Sequence, residues 1–387
     1  MKVVIVIPSY NERRSIGNTL ERLDLVIKKI KGHSVGVLVV DDNSPDGTAT
    51  IVYDKAKKYK YIELITGEKK GLGAAYARGI PYAISKMKAE VVFEMDADGQ
   101  HDPIYILDFL KKIDEGYDYV IGSRYVKGGS IPKEWGLHRK LLSFLGSLFA
   151  RFMLKTSWIK DYTSGYKASR VEGYLEKIDL NSLISPHFAY KIELLYKMLK
   201  MGAKTTEIPI NFKGRDTDSS KSTFTDLMES FKVVFLLRLR EHKRFVKVCI
   251  VGAIGAFIQF VAYYILKFIF FKFTGVSFGS FYISQKAFFN AVAVELAIMT
   301  NFIINNLWSF KDRKLLINLN FTIKFLQFNF FVLGSLIIQA FVLEFGTRAT
   351  KIDNNFFDFI LISIGILIGL AYNYLIYKNV IWKIKKN

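Results

Sequence analysis

Two aspartates followed by a glutamine are the residues of this chain whose types and spacing best suggest chemistry. Asp96 and Asp98 come at the end of the mostly apolar run 91–95, and Gln100 lies two residues further on. Such a run predicts a buried strand, and open α/β sheets bind ligands beyond the carboxyl ends of their strands. Carboxylate and amide oxygens suit Mg²⁺ or Mn²⁺, and Mg²⁺ usually keeps part of its shell for water and substrate phosphates. We therefore predict a divalent metal site at Asp96, Asp98 and Gln100.

The same spacing of aspartates occurs once more, at Asp216 and Asp218, but no apolar run precedes that pair. We interpret the second pair as part of a polar loop, so the spacing alone is weak evidence for a metal site. The prediction at Asp96 and Asp98 depends on the elements that carry them and on the polar residues that gather around them.

Short apolar runs alternate with helical segments in the first third of the chain. The runs 3–7, 35–40, 62–66, 90–95 and 118–122 predict strands, and the segments 13–31, 48–59, 72–86 and 103–115 predict helices. This alternation is typical of βαβ units. We therefore expect an α/β domain with a mostly parallel, Rossmann-like sheet.

Polar residues follow each predicted strand. They are residues 8–12, 41–47, 69–73, 96–100 and 122–125, in chain order. Because parallel strands end at one edge of a sheet, we expect these residues to form one ligand site. A carboxylate just beyond a strand can bind a ribose hydroxyl or a base, and a lysine beside glycines at a helix start suits a phosphate.

The second part of the chain is dominated by four long apolar stretches, approximately 245–270, 283–307, 325–345 and 356–377. Each reaches the ~20 residues that a helix needs to cross a bilayer. Asn301, Asn305 and Asn306 interrupt the second stretch, and we expect polar residues there to face the interior of the helix bundle. We also expect Trp308 and Trp382 to lie at the membrane surface.

The net charge of the chain is +20. Much of it lies before the first apolar stretch, between the second and third, and after the fourth. By the positive-inside rule, we predict a multi-pass protein of the cell membrane with its N-terminal domain and C-terminus in the cytoplasm. No basic stripe with base-stacking aromatic residues is present, so nucleic acid is not a predicted partner.

Two amphipathic segments, 137–154 and 225–242, lie between the sheet region and the apolar stretches. Each can lie at a membrane interface or pack against the core of the α/β domain, and the sequence leaves both possibilities open. We predict an α/β domain at 1–224, a linking helix at 225–242 and an all-α transmembrane domain of four helices at 243–387.

The strand-end motifs 8–12, 40–47, 95–101 and 121–125 resemble the successive motifs of family-2 glycosyltransferases with the GT-A fold. Within that family they are most similar to polyprenol-phosphate (dolichol-phosphate) mannosyltransferases. Arg139, the run 161–166 and the loop 215–221 extend the match over about the first 240 residues. The remaining residues resemble the GtrA-type membrane domain of four helices. Asp216 and Asp218 depart from the pattern, since relatives are usually less acidic there.

The resemblance implies an inverting enzyme that moves mannose from GDP-mannose to dolichyl or another polyprenyl phosphate, with Mg²⁺ or Mn²⁺ as cofactor. It implies that Asp98, Gln100 and Asp96 bind the metal, and that Asp96, Asp98, Arg124 and Arg139 are catalytic. The implied nucleotide-sugar ligands are Pro8, Tyr10, Glu12, Val39, Asp41, Asp96, Ala97, Asp98, Arg124, Arg215 and Lys221. The implied lipid-phosphate ligands are Ser123, Arg124 and Arg139.

Two alternatives stay open at the level of sequence. One is a glucosyltransferase that uses UDP-glucose and polyprenyl phosphate. The other is a lipid-sugar translocator in which the first domain only binds. A lipid phosphate is ionised at pH 7 and can act as the nucleophile without a general base, so the mannosyltransferase hypothesis requires cations and positioning at the acceptor. Nothing in the sequence indicates an obligatory protein partner.

Overall fold

The computed structural model describes residues 1–132, 135–214, 224–278, 281–317, 319–350 and 355–383. The chain divides into two compact units, Met1–Arg238 and Leu239–Asn387. The division falls inside a helix that spans most of the predicted linking segment.

The first unit begins with alternating strands and helices. They are β1 (Lys2–Ser9), α1 (Ile16–Ile27), β2 (Ser34–Asp41), α2 (Thr48–Lys58), β3 (Ile62–Thr66), α3 (Leu72–Ser85), β4 (Val91–Glu94), α4 (Ile106–Asp114) and β5 (Tyr119–Ser123). All five predicted strands and all four predicted helices of this region are present, with ends shifted by a few residues. The α/β prediction is therefore confirmed.

The rest of the first unit departs from this alternation. It contains α5 (Leu137–Leu154), β6 (Lys167–Arg170), α6 (Tyr190–Lys200), β7 (Thr205–Pro209) and α7 (Phe224–Glu241). The sequence predicted α5 and α7 but not β6, α6 or β7. Strand β6 has four residues, two of them charged, so it lacks the apolar run by which the other strands were recognised.

The seven strands form one sheet in the order β3-β2-β1-β4-β6-β5-β7. Only β6 is antiparallel to its neighbours, β4 and β5. The strands β1 to β5 therefore end at the same edge. Alternate residues of β1 enter different cores, with Val4 and Val6 on one face and Val3, Ile5 and Ile7 on the other, all fully buried. Helices cover both faces, as a parallel sheet requires.

Helices α5 and α7 pack against the core on one side only. Ala150 and Leu154 of α5, and Val233 and Val234 of α7, belong to the larger buried cluster. On its other side α5 exposes apolar side chains, namely Leu137, Leu141, Phe144, Leu145, Leu148 and Phe152. Of the two possibilities that the sequence left open, packing on the core is therefore shown, and an exposed apolar face remains.

The second unit contains α8 (Lys243–Ile269), the hairpin β8 (Gly275–Phe278) and β9 (Phe281–Ser284), α9 (Gln285–Ile304), α10 (Leu319–Thr350) and α11 (Asn355–Ile376). The four helices are long and apolar enough to cross a membrane. They coincide with the four predicted stretches. The antiparallel β hairpin between α8 and α9 was not predicted.

Helices α9 and α11 both end in a π-helical turn, at Asn305–Ser309 and Tyr377–Ile381. Lys247 Nζ of α8 donates to the Trp308 carbonyl at 3.2 Å. Lys324 Nζ of α10 donates to the Val380 carbonyl at 2.9 Å. The residues that follow the two turns stack on each other, since the rings of Phe310 and Trp382 are 4.6 Å apart at an angle of 6°.

The polar residues of the second stretch behave largely as predicted. Asn305 and Asn306 are buried, and Asn306 Oδ1 accepts hydrogen bonds from the Leu315 amide and from Trp382 Nε1. The Trp382 side chain is buried within the bundle, so its position at a membrane surface stays a prediction. Its indole N–H is satisfied by Asn306, which removes the need for a polar surface around the ring.

Candidate functional site

A cavity of about 890 Å³ opens in the first unit at the edge where the parallel strands end. Strand-end residues form its polar part, and side chains of α5, α6 and α7 complete its wall. The lining includes Pro8, Tyr10, Glu12, Asp42, Lys69, Asp96, Ala97, Asp98, Gln100, Arg124, Thr163, Gly165 and Lys191. The apolar side is formed by Leu72, Ala75, Phe149, Ile192, Leu227, Phe231 and Val234.

The acidic turn after β4 directs three oxygen donors towards this cavity. Asp98 Oδ1 accepts the backbone N–H of Gln100 at 3.1 Å, across Gly99, which has a left-handed φ of 76°. Gln100 Nε2 donates to the Lys213 carbonyl at 2.9 Å, so Oε1 is the atom of its amide that remains for a ligand. Two carboxylates and one amide oxygen fit a hard divalent cation that takes its other ligands from phosphate and water. The donor set is therefore suited to Mg²⁺ or Mn²⁺.

A buried histidine orients the first of these carboxylates. His101 Nδ1 accepts the backbone N–H of Asp96 at 3.0 Å, and His101 Nε2 lies 3.7 Å from Asp96 Oδ2. Its ring stacks on Tyr166 with centroids 4.8 Å apart. Burial lowers the pKa of His101, so the ring is neutral at pH 7. With Nδ1 acting as an acceptor, the proton is on Nε2, which faces Asp96.

Arg124 lines the cavity, but most of its guanidinium is already used. Its Nε and Nη2 each lie 2.7 Å from a carboxylate oxygen of Asp161, and Nη2 also donates to Thr163 Oγ1 at 2.7 Å. Burial alone would raise the pKa of Asp161, but the Arg124 charge holds it below its ordinary value. Within the described part of the chain only Nη1 makes no hydrogen bond. Arg124 can therefore offer a ligand one nitrogen and not the full fork of its guanidinium.

Three predicted site residues do not line the cavity. Asp41 is fully buried, and its carboxylate accepts from Ser9 Oγ at 3.0 Å, Ser44 Oγ at 2.6 Å and the Ser44 amide at 2.8 Å. Val39 is a core residue of β2, and Ser123 is buried at the end of β5. The neighbouring Asp42, paired with Arg78, faces the cavity instead. A direct role of Asp41, Val39 or Ser123 stays a prediction.

The remaining predicted residues cannot be placed at the site. The backbone of Arg139 lies in the first turn of α5, but its side chain lies outside the described part of the structure. Arg215 and Lys221, with Asp216 and Asp218, lie in the segment 215–223, which is also outside the described residues. Their predicted roles are carried by the resemblance alone.

Lys191, in the first turn of α6, was missed by the sequence reasoning. Its side chain is 2% exposed, and its Nζ lies 4.0 Å from Asp96 Oδ2. Gly165 leaves the space for this ammonium, since a Cβ there would overlap Lys191 Nζ and lie 3.1 Å from Asp96 Oδ2. The site thus holds a buried cation directly beside its carboxylates. No local signal marks this lysine, because α6 carries charged residues along its whole length.

Comparison with known proteins covers both units. The family model described as Glycosyl transferase family 2 matches residues 4–176, and the model described as GtrA/DPMS, transmembrane domain matches residues 247–382. A polyprenol monophosphomannose synthase of Mycolicibacterium smegmatis is 37% identical over 238 residues, which are 60% of this chain and 85% of the relative.

A second relative spans both units. It is a dolichol-phosphate mannosyltransferase of Pyrococcus furiosus, 33% identical over 315 residues, which are 81% of this chain and 82% of the relative. Among solved structures, the mannosyl-3-phosphoglycerate synthase of Rubrobacter xylanophilus is similar with a TM-score of 0.45 and 20% identity, over 63% of this chain and 75% of that one.

Proposed function

Since the chain is a membrane protein of glycosyl transferase family 2, in the group of polyprenol-phosphate mannosyltransferases with a GtrA/DPMS transmembrane domain, we propose that it transfers mannose from GDP-mannose to dolichyl or another polyprenyl phosphate at the cytoplasmic face. The product is the β-linked lipid-phosphate mannose. One observation carries this proposal: a single cavity joins the carboxylates Asp96 and Asp98 to an apolar wall of α5 and α7. Such a cavity suits a polar donor and a lipid acceptor that must meet.

The donor occupies the polar end of the cavity in this proposal. Asp98 and Gln100, with Asp96, would hold the metal, which supplies charge neutralisation for the departing nucleoside diphosphate. Pro8, Tyr10 and Glu12 line the part of the wall assigned to the nucleoside. Asp41 does not line this wall itself, but its carboxylate accepts a hydrogen bond from Ser9, which does. Asp42 lines the cavity directly.

Lys191 is the cation assigned to the reacting end of the donor. Its ammonium lies beside Asp96, so it can neutralise a phosphate oxygen or hold a mannose hydroxyl next to the metal ligands. A charge fixed in a buried site stabilises a developing negative charge more than the same charge does in water. Lys191 therefore adds to the metal at the leaving group.

The acceptor occupies the apolar end. The isoprenoid chain would contact Phe149 of α5 and Phe231 of α7, and its phosphate would lie towards Arg124. The family resemblance assigns Arg139 to the same phosphate. The ionised phosphate oxygen attacks the anomeric carbon directly and breaks the bond to GDP, which inverts the configuration. No proton has to be removed from this nucleophile, so a general base is not needed.

Nucleotide-sugar turnover by the full chain in detergent, with added short-chain polyprenyl phosphate, tests the proposed function. We expect transfer from GDP-mannose in the presence of Mg²⁺ or Mn²⁺, and little from UDP-glucose or UDP-galactose. Preferred use of UDP-glucose would support the alternative glucosyltransferase. Binding of lipid-phosphate mannose without turnover of any donor would support the translocator and overturn the enzyme proposal.

Arg139→Ala is expected to slow transfer by about a hundredfold while leaving the affinity for GDP nearly unchanged. A guanidinium can hold the lipid phosphate with two parallel hydrogen bonds, and a misplaced nucleophile costs about that factor. Arg139→Lys should recover only part of the rate, since it keeps the charge and loses the fork. Steady-state kinetics and calorimetry check this. Equal losses in GDP affinity and in transfer would place Arg139 at the donor.

Gly165→Ala is expected to weaken GDP-mannose binding by about tenfold without unfolding the chain. The new Cβ meets the end of a flexible lysine and no backbone atom at close range, so Lys191 Nζ moves away and loses one charge-assisted contact. Gly17→Ala is the matched control, because its Cβ would meet only Ile51, at an ordinary 3.6 Å. Equal GDP-mannose affinities of the two variants would argue against a role for Lys191.

A further inference from the structure

Two buried charged side chains lie next to each other in the centre of the sheet, outside the cavity lining. Glu94 of β4 and Lys167 of β6 are paired residues in the antiparallel ladder, so their side chains share one face of the sheet. They are 1% and 0% exposed. Removing two charges from water is costly unless good hydrogen bonds compensate the loss. Their partners therefore indicate what the pair does.

Both partners belong to the first turn of α6. The Tyr190 hydroxyl donates to Glu94 Oε2 at 2.6 Å, and Lys167 Nζ donates to the backbone carbonyl of Lys191 at 2.9 Å. The Tyr190 ring also stacks on Tyr76 of α3, with centroids 5.2 Å apart. Two consecutive residues of one helix turn are thus tied to two adjacent strands. These two bonds resist rotation of the first turn of α6 about the helix axis.

The orientation of α6 decides where the Lys191 ammonium lies. The side chain of Lys191 passes between Gly165 and the ring of Phe188, and its Nζ is 4.6 Å from that ring centroid. Because a single added carbon at Gly165 would already overlap the ammonium, a small rotation of α6 would move Nζ away from Asp96. The position of Lys191 therefore depends on the bonds at the start of its helix.

We propose that Glu94 and Lys167 are positioning residues that hold Lys191 beside Asp96 through their bonds to the first turn of α6. This inference rests on the proposed function, in which Lys191 contacts the donor. Neither Glu94 nor Lys167 touches the donor, and both act through Lys191. Glu94 lies two residues before Asp96 on β4, and Lys167 lies on the neighbouring strand β6. The sheet that presents the predicted metal ligands therefore also fixes the position of Lys191.

A double-mutant cycle on the full chain in detergent separates this role from a merely structural one, with the Kd for GDP-mannose as the readout. Tyr190→Phe removes the hydroxyl that binds Glu94 and should raise the Kd for GDP-mannose by about tenfold. This factor corresponds to the free energy of one hydrogen bond to a charged group. In the Lys191→Met background the same change should alter the Kd by less than about twofold, since coupled residues lose their effect together.

Tyr119→Phe is the matched control. Tyr119 is equally buried on the adjacent β5, and its hydroxyl makes no hydrogen bond to the described residues. It should change the Kd by less than about twofold in either background. If Tyr190→Phe does not fold, as judged by thermal unfolding, Lys167→Met replaces it in the same cycle.

Three results would overturn the inference. In the first, Tyr190→Phe changes the Kd for GDP-mannose no more than Tyr119→Phe does. In the second, Tyr190→Phe changes this Kd equally with and without Lys191. In the third, Lys191→Met leaves the Kd unchanged. A failure of the proposed function would give a different result, because the unaltered chain would then not transfer mannose from GDP-mannose in the comparison of the three donors.

Discussion

Asp98→Ala is expected to reduce mannose transfer by at least about a thousandfold at saturating donor and metal. Asp98 lines the cavity and is 9% exposed, and the Gln100 amide binds one of its oxygens and so fixes the carboxylate beside the other two oxygen donors. Without a bound ion, the negative charge of the departing diphosphate meets Asp96 in a partly enclosed site. Loss of that electrostatic stabilisation has costs of this order.

The measurement is single-turnover transfer from GDP-mannose across a titration of Mn²⁺, with EDTA as the zero point. The unaltered chain should lose transfer in EDTA and regain it with Mn²⁺, while Asp98→Ala should show no response to the metal. Asp102→Ala is a suitable control, since Asp102 binds Arg22 and Lys213 and does not line the cavity. Full activity of Asp98→Ala in EDTA would contradict the metal assignment.

Asp161→Ala is expected to destabilise the first unit by about 3–5 kcal/mol, the usual cost of removing one partner of a buried ion pair. Asp161 is fully buried and accepts the Arg124 amide as well as two guanidinium nitrogens. Its loss leaves the Arg124 charge buried without compensation. Arg124 is also released from its orientation, so transfer should fall together with stability.

Hydrogen exchange in peptides that contain β5 and β6 measures this effect locally, which avoids treating a two-unit membrane protein as a two-state system. Exchange there should become faster by about two to four orders of magnitude, corresponding to about 3–5 kcal/mol. Asp54→Ala is the control, because the Asp54–Lys57 pair is exposed and such pairs contribute about 0–1 kcal/mol. Unchanged protection in Asp161→Ala would show that the pair contributes no net stability.

The strands and the acidic turn could be predicted because their signals are local. An apolar run of four to six residues followed by polar residues specifies both a buried strand and the edge at which it ends. Strand β6 has no such run and exists because β4 and β5 pair with it from both sides. Helix α6 and its buried Lys191 depend on the same distant contacts, so their contribution to the site was not visible.

Two details of the candidate site were not visible in the sequence, and the reasons are equally physical. Successive side chains beyond a strand point to opposite sides, so Asp41 enters the interior while Asp42 faces the cavity, and no pattern in the sequence distinguishes them. Arg124 is used by Asp161, which lies 37 residues away in the chain. The sequence shows that Arg124 follows a strand, but it does not show that Asp161 already accepts hydrogen bonds from its guanidinium.

The second and fourth helices of the membrane unit, α9 and α11, end alike, in a π-helical turn followed by an aromatic residue. At one constant interval along the chain, Asn301 and Ile304 match Asn373 and Ile376, and the aromatic residues Phe302 and Phe310 correspond to Tyr374 and Trp382. Helices α8 and α9 pack as one helical hairpin, and α10 and α11 pack as a second. In each hairpin a lysine of the first helix donates a hydrogen bond to a backbone carbonyl in the π-helical turn that ends the second. Each hairpin is long enough to cross the bilayer and return, so the second hairpin begins on the same side of the membrane as the first. The stacked rings of Phe310 and Trp382 therefore join the ends of the two hairpins to each other.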